Sequence, residues 1–231
     1  MLSIIIPTYN EKNHLAELAD RLKNAAPEAE IIIIDDNSPD GTGEFARHLG
    51  LKVLIRPGRE GLASAVLEGF KLAHGDILCV MDADLSHPPE ILPEMLRLIK
   101  SGSAEVVVGS RLVRGGGTPR WAWWQRLISD VARWPARLIT DLKDVTSGFF
   151  MVKRSVIEGI KINPIGYKIL LEILAKGKFQ KAVEVPIIFA DRTGSRSKMG
   201  FKTTGEYLLQ LTMLYGDKLL GKLKERSKKN G

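Results

Sequence analysis

In this sequence an apolar run, Ile77-Leu78-Cys79-Val80-Met81, closes on two carboxylates one residue apart, Asp82 and Asp84. Acidic side chains at i and i+2, where a strand opens into a loop, can converge on one hard cation. Mg2+ or Mn2+ is commonly shared between such carboxylates and the phosphates of a substrate. The chemistry served by that arrangement is departure of a diphosphate, whose growing charge the cation neutralises. Asp82 and Asp84 are therefore the candidate metal ligands. His87, ahead of two prolines, reads as a packed or capping residue rather than a ligand.

Two earlier apolar runs also end in polar side chains. The first delivers Pro7-Thr8-Tyr9-Asn10-Glu11 and the second Asp35-Asp36-Asn37-Ser38-Pro39-Asp40. A ring to stack on, short polar groups and acids that accept hydroxyl hydrogen bonds suit a base and ribose. For Asn37 and Ser38, a plain turn and helix cap before Thr42 is an equal reading. Downstream, Arg111, Arg120, Arg126, Arg133 and Arg137 share a stretch with Trp121, Trp123, Trp124 and Trp134. Guanidinium groups pair bidentately with phosphate, and indoles mixed with basic side chains suit a membrane interface. A phosphate acceptor is already an anion at neutral pH, so it needs cations to place it rather than a base to activate it.

Positioning these groups falls to alternating strands and helices. Strand-like runs at 2–6, 30–34, 52–56, 77–82 and 105–110 alternate with helical periods at 13–26, 42–49, 62–74 and 89–101. That is the βαβ pattern of an α/β protein with a largely parallel sheet. In such sheets ligands bind beyond the carboxyl ends of the strands, where the polar groups above fall. Gly61, Ala65 and Gly69, spaced by four, predict a small helix face that approaches another backbone closely. The regularity stops at Arg114-Gly115-Gly116-Gly117-Thr118-Pro119, a link into the aromatic and basic segment 121–137. A strand at 148–153, a helix at 165–176 and a strand at 183–189 follow, and Pro186 predicts an edge position for the last. Residues 191–202 read as a polar loop, and 204–224 as an amphipathic helix running into a basic tail. The expected organisation is a catalytic domain over 1–202, with a nucleotide half to about 113 and an acceptor half beyond it, followed by the helix and tail of 203–231.

Composition sets the bounds. A chain of 231 residues, 44% hydrophobic and 26% charged, can build one sizeable α/β core. A net charge of +7 favours anionic partners. Its basic residues do not line a recognition helix, which argues against nucleic acid. The one cysteine, Cys79, excludes an intrachain disulfide framework and falls where a small core residue belongs. No apolar stretch approaches the roughly 18 residues of a membrane span. The first strand begins at Leu2 with no basic leader, so a cytoplasmic protein that does not span a membrane is expected.

Six stretches in order carry a resemblance: residues 4–11 (IIIPTYNE), 34–42 (IDDNSPDGT), 61–65 (GLASA), 81–89 (MDADLSHPP), Gly109-Ser110-Arg111 and Ser147-Gly148-Phe149. Together they resemble the dolichyl-phosphate (polyprenyl-phosphate) mannose synthase family, inverting metal-dependent glycosyltransferases with the glycosyltransferase-A fold. The match runs from Leu2 to about Lys202. It implies an α/β, three-layer Rossmann-like fold with a mixed, mostly parallel central sheet. It also implies that Pro7, Tyr9, Glu11, Asp36 and Asp82 line a guanine-nucleotide site, and that Asp82 and Asp84 hold Mg2+ or Mn2+ with Ser86 nearby. Many members have glutamine at the place of Ser86, and the shorter serine is expected to reach the metal through water. Arg111, Arg126 and Ser129 fall where the family gathers sugar and acceptor phosphate, and Arg192 and Lys198 match basic residues that close over phosphates.

The expected activity is therefore mannosyl transfer from GDP-mannose to a polyprenyl (dolichyl) phosphate, with Asp84, Arg111 and Arg126 at its centre. Polyprenyl-phosphate glucosyltransferases using UDP-glucose share the same stretches. A phospho-acceptor signalling domain pairs acids in the manner of Asp35-Asp36, but is about half this length and carries them on its first strand. With a lipid acceptor and no spanning segment, 121–137 and 204–224 are expected to lie on the cytoplasmic face of a membrane, a contact that a membrane-embedded partner subunit could also supply.

Overall fold

The computed structural model describes residues 1–119, 140–163, 168–190 and 212–213. Pattern became structure most directly in the strands. β1 (Leu2–Thr8), β2 (Glu30–Asp35), β3 (Lys52–Ile55), β4 (Ile77–Val80) and β5 (Val106–Ser110) alternate with α1 (Lys12–Ala25), α2 (Thr42–His48), α3 (Leu62–Leu72) and α4 (Leu92–Lys100). A 3-10 turn, Pro89–Ile91, leads into α4. β6 (Phe150–Lys153), a short α5 (Arg154–Ile157), α6 (Ile169–Lys176) and β7 (Ala182–Pro186) complete the described elements.

The seven described strands form one sheet in the order β3-β2-β1-β4-β6-β5-β7. β1 pairs in parallel with β2 and β4, β2 with β3, and β5 with β7. β6 alone runs the other way, antiparallel to both β4 and β5. The reversal has a positional effect: β6 begins where its neighbours end, so Ser147-Gly148-Phe149 enters at the carboxyl edge of the parallel strands. β7 is an edge strand, as Pro186 predicted.

Alternation along the strands divides the core into two layers. Ile5, Ile32, Ile34, Leu78, Val80, Val108 and Phe150 face Ala65, Val66 and Phe70 of α3 and Leu170, Leu171 and Leu174 of α6. On the other face, Ile4, Ile6, Ile33, Cys79, Val107 and Met151 meet Leu15, Leu18 and Leu22 of α1 and Leu92, Met95 and Ile99 of α4. Both faces are covered, which is why these strands read as unbroken apolar runs. Cys79 is fully buried and its thiol is pushed well above the ordinary range by burial.

Three expectations change in detail. β4 stops at Val80, so Met81 and Asp82 already belong to the loop. Gly69 makes the close approach, but to a side chain and not a backbone, since a Cβ there would sit 2.3 Å from Ile5 Cγ2. Gly61 instead caps α3 at φ 96°, with open space around it. Pro7 inside a central strand is tolerated because the β1–β4 ladder ends at Ile5, so the ladder misses no donor.

Candidate active site

The carboxyl ends of β1, β2 and β3 are bound together by side chains from the segments they release. Asp35 is buried and accepts hydrogen bonds from Thr8 Oγ1 at 2.8 Å and from the Ser38 N–H at 2.9 Å and hydroxyl at 2.6 Å. Ser38 Oγ in turn accepts from the Asn10 N–H. Just ahead of α2, whose N-cap is Gly41, Asp40 Oδ1 accepts the Thr42 N–H and hydroxyl. Ser38 and Asp40 thus frame the turn, as the plain reading of that stretch held.

Asp36 is 6% exposed and pairs with Arg56. Its second oxygen accepts the Gly61 N–H at 3.0 Å. Arg56 is 4% exposed and also reaches Ser64 Oγ at 2.7 Å and the Gly61 carbonyl at 2.8 Å. Its Nε is buried without a hydrogen-bond partner among the described residues. The sequence reading missed Arg56, although the signal was present: it closes the apolar run of β3 as Asp82 closes that of β4. Tyr9 lies half-buried beneath Arg59, whose Cζ is 4.2 Å from the ring centroid. Glu11 is 7% exposed, its N–H donating to Thr42 Oγ1 and its carboxylate meeting His14 Nδ1 at 3.1 Å. Pro7 is half-buried at the end of β1.

At the end of β4 the backbone is folded back on itself. Leu85 takes φ 60°, as Asn10 (59°) and Asn37 (54°) do at the ends of β1 and β2. A bulky leucine in the left-handed region is strained by about 1–2 kcal/mol, so its surroundings must hold it there. Ser86 supplies part of that hold. Fully buried, it donates both its N–H and its hydroxyl to Asp84 Oδ1, fixing the carboxylate's orientation. His87 accepts the Asp82 N–H on Nδ1 at 3.1 Å, so the ring proton belongs on Nε2. The imidazole stacks on Phe149 at 5.3 Å and meets Phe189 edge-on. Burial pushes His87 below its ordinary range, with Arg111 adding to the effect and Asp82, Asp84 and Asp144 opposing it. It is a packed, neutral residue, as expected. Gly148 sits against the same corner: a Cβ there would lie 3.2 Å from His87 Cε1 and 3.3 Å from Asp82 Oδ2.

Across this corner, β5 delivers Arg111. Its Nε and Nη2 donate to the two oxygens of Asp144, each at 2.7 Å, and its N–H reaches Asp144 Oδ2 at 3.1 Å. Asp144 is fully buried. Burial works against the Arg111 charge, but the hydrogen bonds and charge of Asp144, with Asp82 adding, hold it above its ordinary range. Glu184 on β7 accepts the N–H groups of Lys143 and Asp144 at 2.8 and 2.9 Å, which fixes the turn. The guanidinium edge suited to a phosphate therefore grips Asp144, a partner 33 residues away that spacing could not reveal.

Asp82, Asp84, Ser86 and Arg111 are brought to one corner, and Pro7, Tyr9, Glu11 and Asp36 to the neighbouring strand ends. Arg126, Ser129, Arg192 and Lys198 lie outside the described residues, as do the tryptophan-rich segment and most of 204–224. The donor set fits a hard divalent cation. Asp82 and Asp84 offer carboxylate oxygens, and among the described residues no group of three or more His, Cys, Asp or Glu side chains could hold a metal. Two carboxylates completed by substrate phosphates are the usual arrangement for Mg2+. No helix among the described residues is long and apolar enough to cross a membrane.

A family profile described as Glycosyl transferase family 2 matches residues 3–160. The chain belongs to glycosyl transferase family 2. Relatives within this similarity include a dolichol-phosphate mannosyltransferase of Pyrococcus furiosus, 47% identical over 92% of this chain and 63% of its own length. Another, from Saccharomyces cerevisiae, carries the same name and is 38% identical over 92% of this chain and 86% of its own. The chain thus spans less than two thirds of the Pyrococcus relative. Among solved structures, glucosyl-3-phosphoglycerate synthase from Mycobacterium tuberculosis, in complex with Mn2+, UDP-glucose and phosphoglyceric acid, superposes with a TM-score of 0.72 at 18% identity. It is covered over 80% of its length by 94% of this chain. The family 2 chain has the three-layer, Rossmann-like glycosyltransferase-A fold.

Proposed function

We propose that this chain is a metal-dependent inverting mannosyltransferase. It moves mannose from GDP-mannose to a polyprenyl phosphate, giving β-linked polyprenyl phosphate mannose and GDP. The observation that carries this reading is the corner where Asp82, next to Asp84, supports the charge of Arg111 in its pair with Asp144, reached by polar strand ends suited to a nucleotide. The names of the Pyrococcus and yeast relatives support the mannosyl and polyprenyl parts.

In this reaction an acceptor phosphate oxygen forms a bond to the anomeric carbon as the bond to the GDP oxygen breaks on the opposite face. The electron pair leaves with GDP, and the configuration inverts. No proton has to be removed, because the acceptor is already an anion. The site is built accordingly: His87 is buried and committed to the Asp82 N–H, and neither aspartate acts as a base. Asp82 and Asp84 would hold Mg2+ or Mn2+, which when bound neutralises the charge growing on the diphosphate. Arg111, held rigid by Asp144, contributes an oriented positive charge beside the acceptor phosphate. The proposal also keeps Arg126 and Ser129 at the sugar and acceptor phosphate, Arg192 and Lys198 over the phosphates, and Pro7, Tyr9, Glu11 and Asp36 around the nucleoside.

Incubating the purified chain with Mn2+, polyprenyl phosphate and a panel of nucleotide sugars, then weighing the lipid product by mass spectrometry, tests the reading. A mannosyl product from GDP-mannose is expected, and a glucosyl product from UDP-glucose alone would replace it. Asp84→Ala should abolish transfer while leaving the melting temperature near that of the wild type. Retained metal-dependent transfer in that variant overturns the assignment. Residues 121–137 and 204–224 are proposed to rest on the cytoplasmic face of a membrane, directly or through a membrane-embedded subunit. Flotation with anionic liposomes reads this contact, and a chain that stays wholly soluble with lipid present counts against it.

A further inference from the structure

The geometry points to Arg59 as the residue that closes over the nucleobase and sets its identity, an inference that rests on the nucleotide-donor reading above. Residues 56–61 are fastened at both ends to one side chain. The Arg56 guanidinium donates to Asp36 Oδ1, and the Gly61 N–H donates to Asp36 Oδ2 at 3.0 Å. Arg56 also crosses to the far end of the segment, 2.8 Å from the Gly61 carbonyl. Asn37 Nδ2 donates to the Pro57 carbonyl at 3.3 Å. A loop pinned at this many points does not swing as a unit, so the part left to move is the exposed side chain at its tip. That side chain is Arg59. Its guanidinium lies 4.2 Å from the Tyr9 ring centroid, a cation–π pair at close range.

Tyr9 and Asp36 are both assigned to the nucleotide, and this one loop engages both. A base entering between the Tyr9 ring and the guanidinium needs two van der Waals layers, about 7 Å in all. Arg59 therefore has to lift by about 3 Å, which an exposed side chain on a long flexible stem can do. Tyr9 by itself stacks on any base, since every base has a π-face. The guanidinium adds discrimination. A purine offers it a larger and more electron-rich face than uracil. Arg59 in this role selects a guanine nucleotide over a uracil nucleotide, and so selects which sugar donors enter.

Calorimetric titration of the full chain with GDP, UDP and inorganic pyrophosphate, each with Mn2+, tests the clamp. Arg59→Ala should weaken GDP about tenfold, the loss of a desolvated cation–π contact. It should weaken UDP by no more than about twofold and leave pyrophosphate unchanged, because stacking on the Tyr9 ring is sequence-tolerant and persists. Arg59→Lys should recover only part of the GDP affinity, since an ammonium lacks the planar guanidinium surface that stacks on a base. Unchanged GDP affinity in Arg59→Ala overturns the clamp and leaves the donor reading intact. So does an equal loss for GDP, UDP and pyrophosphate, which marks bulk charge alone. A wild-type chain that takes up neither nucleoside diphosphate overturns both.

Discussion

Ser86 shows how much a single side chain can change the reading of a site. The resemblance implies that it lies near the metal and reaches it through water. In the structure its hydroxyl and N–H both donate to Asp84 Oδ1, so it fixes the orientation of the carboxylate proposed to hold the metal. Partners of this kind typically change metal affinity by about 10–100-fold when removed. Ser86→Ala should therefore weaken Mn2+ binding within that range, measured by calorimetry, with little change in unfolding midpoint. Cases where the sequence told enough and cases where it did not separate by chain distance. Asp82 and Asp84 announce themselves because the apolar run and the acids are contiguous. Arg111 was found, but its partner Asp144, 33 residues on, was not, and although Arg56 visibly closes the β3 run, its pairing with Asp36, 20 residues earlier, was not legible. Pairings of that length are set by the order of strands in the sheet, which local spacing does not encode. Gly148 belongs with them: its motif was legible, but its reason, the lack of room beside His87 and the Asp82 carboxylate, appears only in three dimensions.

Among the elements, boundaries shifted where side chains took over from backbone pairing. α3, expected to run to residue 74, stops at Leu72, where Ala73 turns extended and Arg154 ties down the segment that follows. From the start of α5 its guanidinium donates to the carbonyls of Ala73 at 2.7 Å, Gly75 at 2.9 Å and Phe70 at 3.3 Å. It thereby takes the Phe70 carbonyl in the last turn of α3 and two carbonyls of the segment just beyond it, while Lys52 Nζ takes that of Leu72 at 2.8 Å. α5 itself, four residues long, carried no readable period. Replacing Arg154 by Met keeps the stem and removes these bonds. At about 1 kcal/mol for each net hydrogen bond, and more for buried carbonyls left unpaired, a loss of about 2–3 kcal/mol is expected. Urea unfolding followed by circular dichroism reads it directly, and a change under about 0.5 kcal/mol, the range of ordinary surface substitutions, counts against the capping role. Activity at low temperature should persist, since Arg154 lies at the amino-terminal edge of the sheet, away from the site. The left-handed residues Asn10, Asn37 and Leu85 occupy the opposite edge. Strain held at the ends of three neighbouring strands is the pattern found where a backbone is shaped for a ligand.

In the molecule as a whole, the two edges of the sheet divide the work. The carboxyl edge gathers the reactive groups, and the amino edge carries a stabilising knot around Glu30. Burial raises the Glu30 carboxyl, but the His74 N–H, Lys52, Ser3 and the His74 ring outweigh it and bring it from 4.5 down to about 2. A carboxyl depressed on folding stabilises the fold above its unfolded value, and that stabilisation is lost as pH falls from about 4.5 toward 2. Glu30→Gln should flatten the dependence of melting temperature on pH within that window. An unchanged acid limb in the variant sinks the idea. The sheet's strand order has a further consequence, for recombination. β5 sits between β6 and β7, both encoded after residue 113, while β1 to β4 form a contiguous block. A crossover between two homologous genes at that point would fall where the sequence pattern led us to expect a division into halves. It would also hand one parent's β5 to the other parent's β6 and β7, and one parent's Arg111 to the other's Asp144. Exchange of halves within this lineage is therefore constrained by a seam that the sheet has sewn shut, and parental blocks that inherit 106–186 as a unit are the ones that should yield folded progeny.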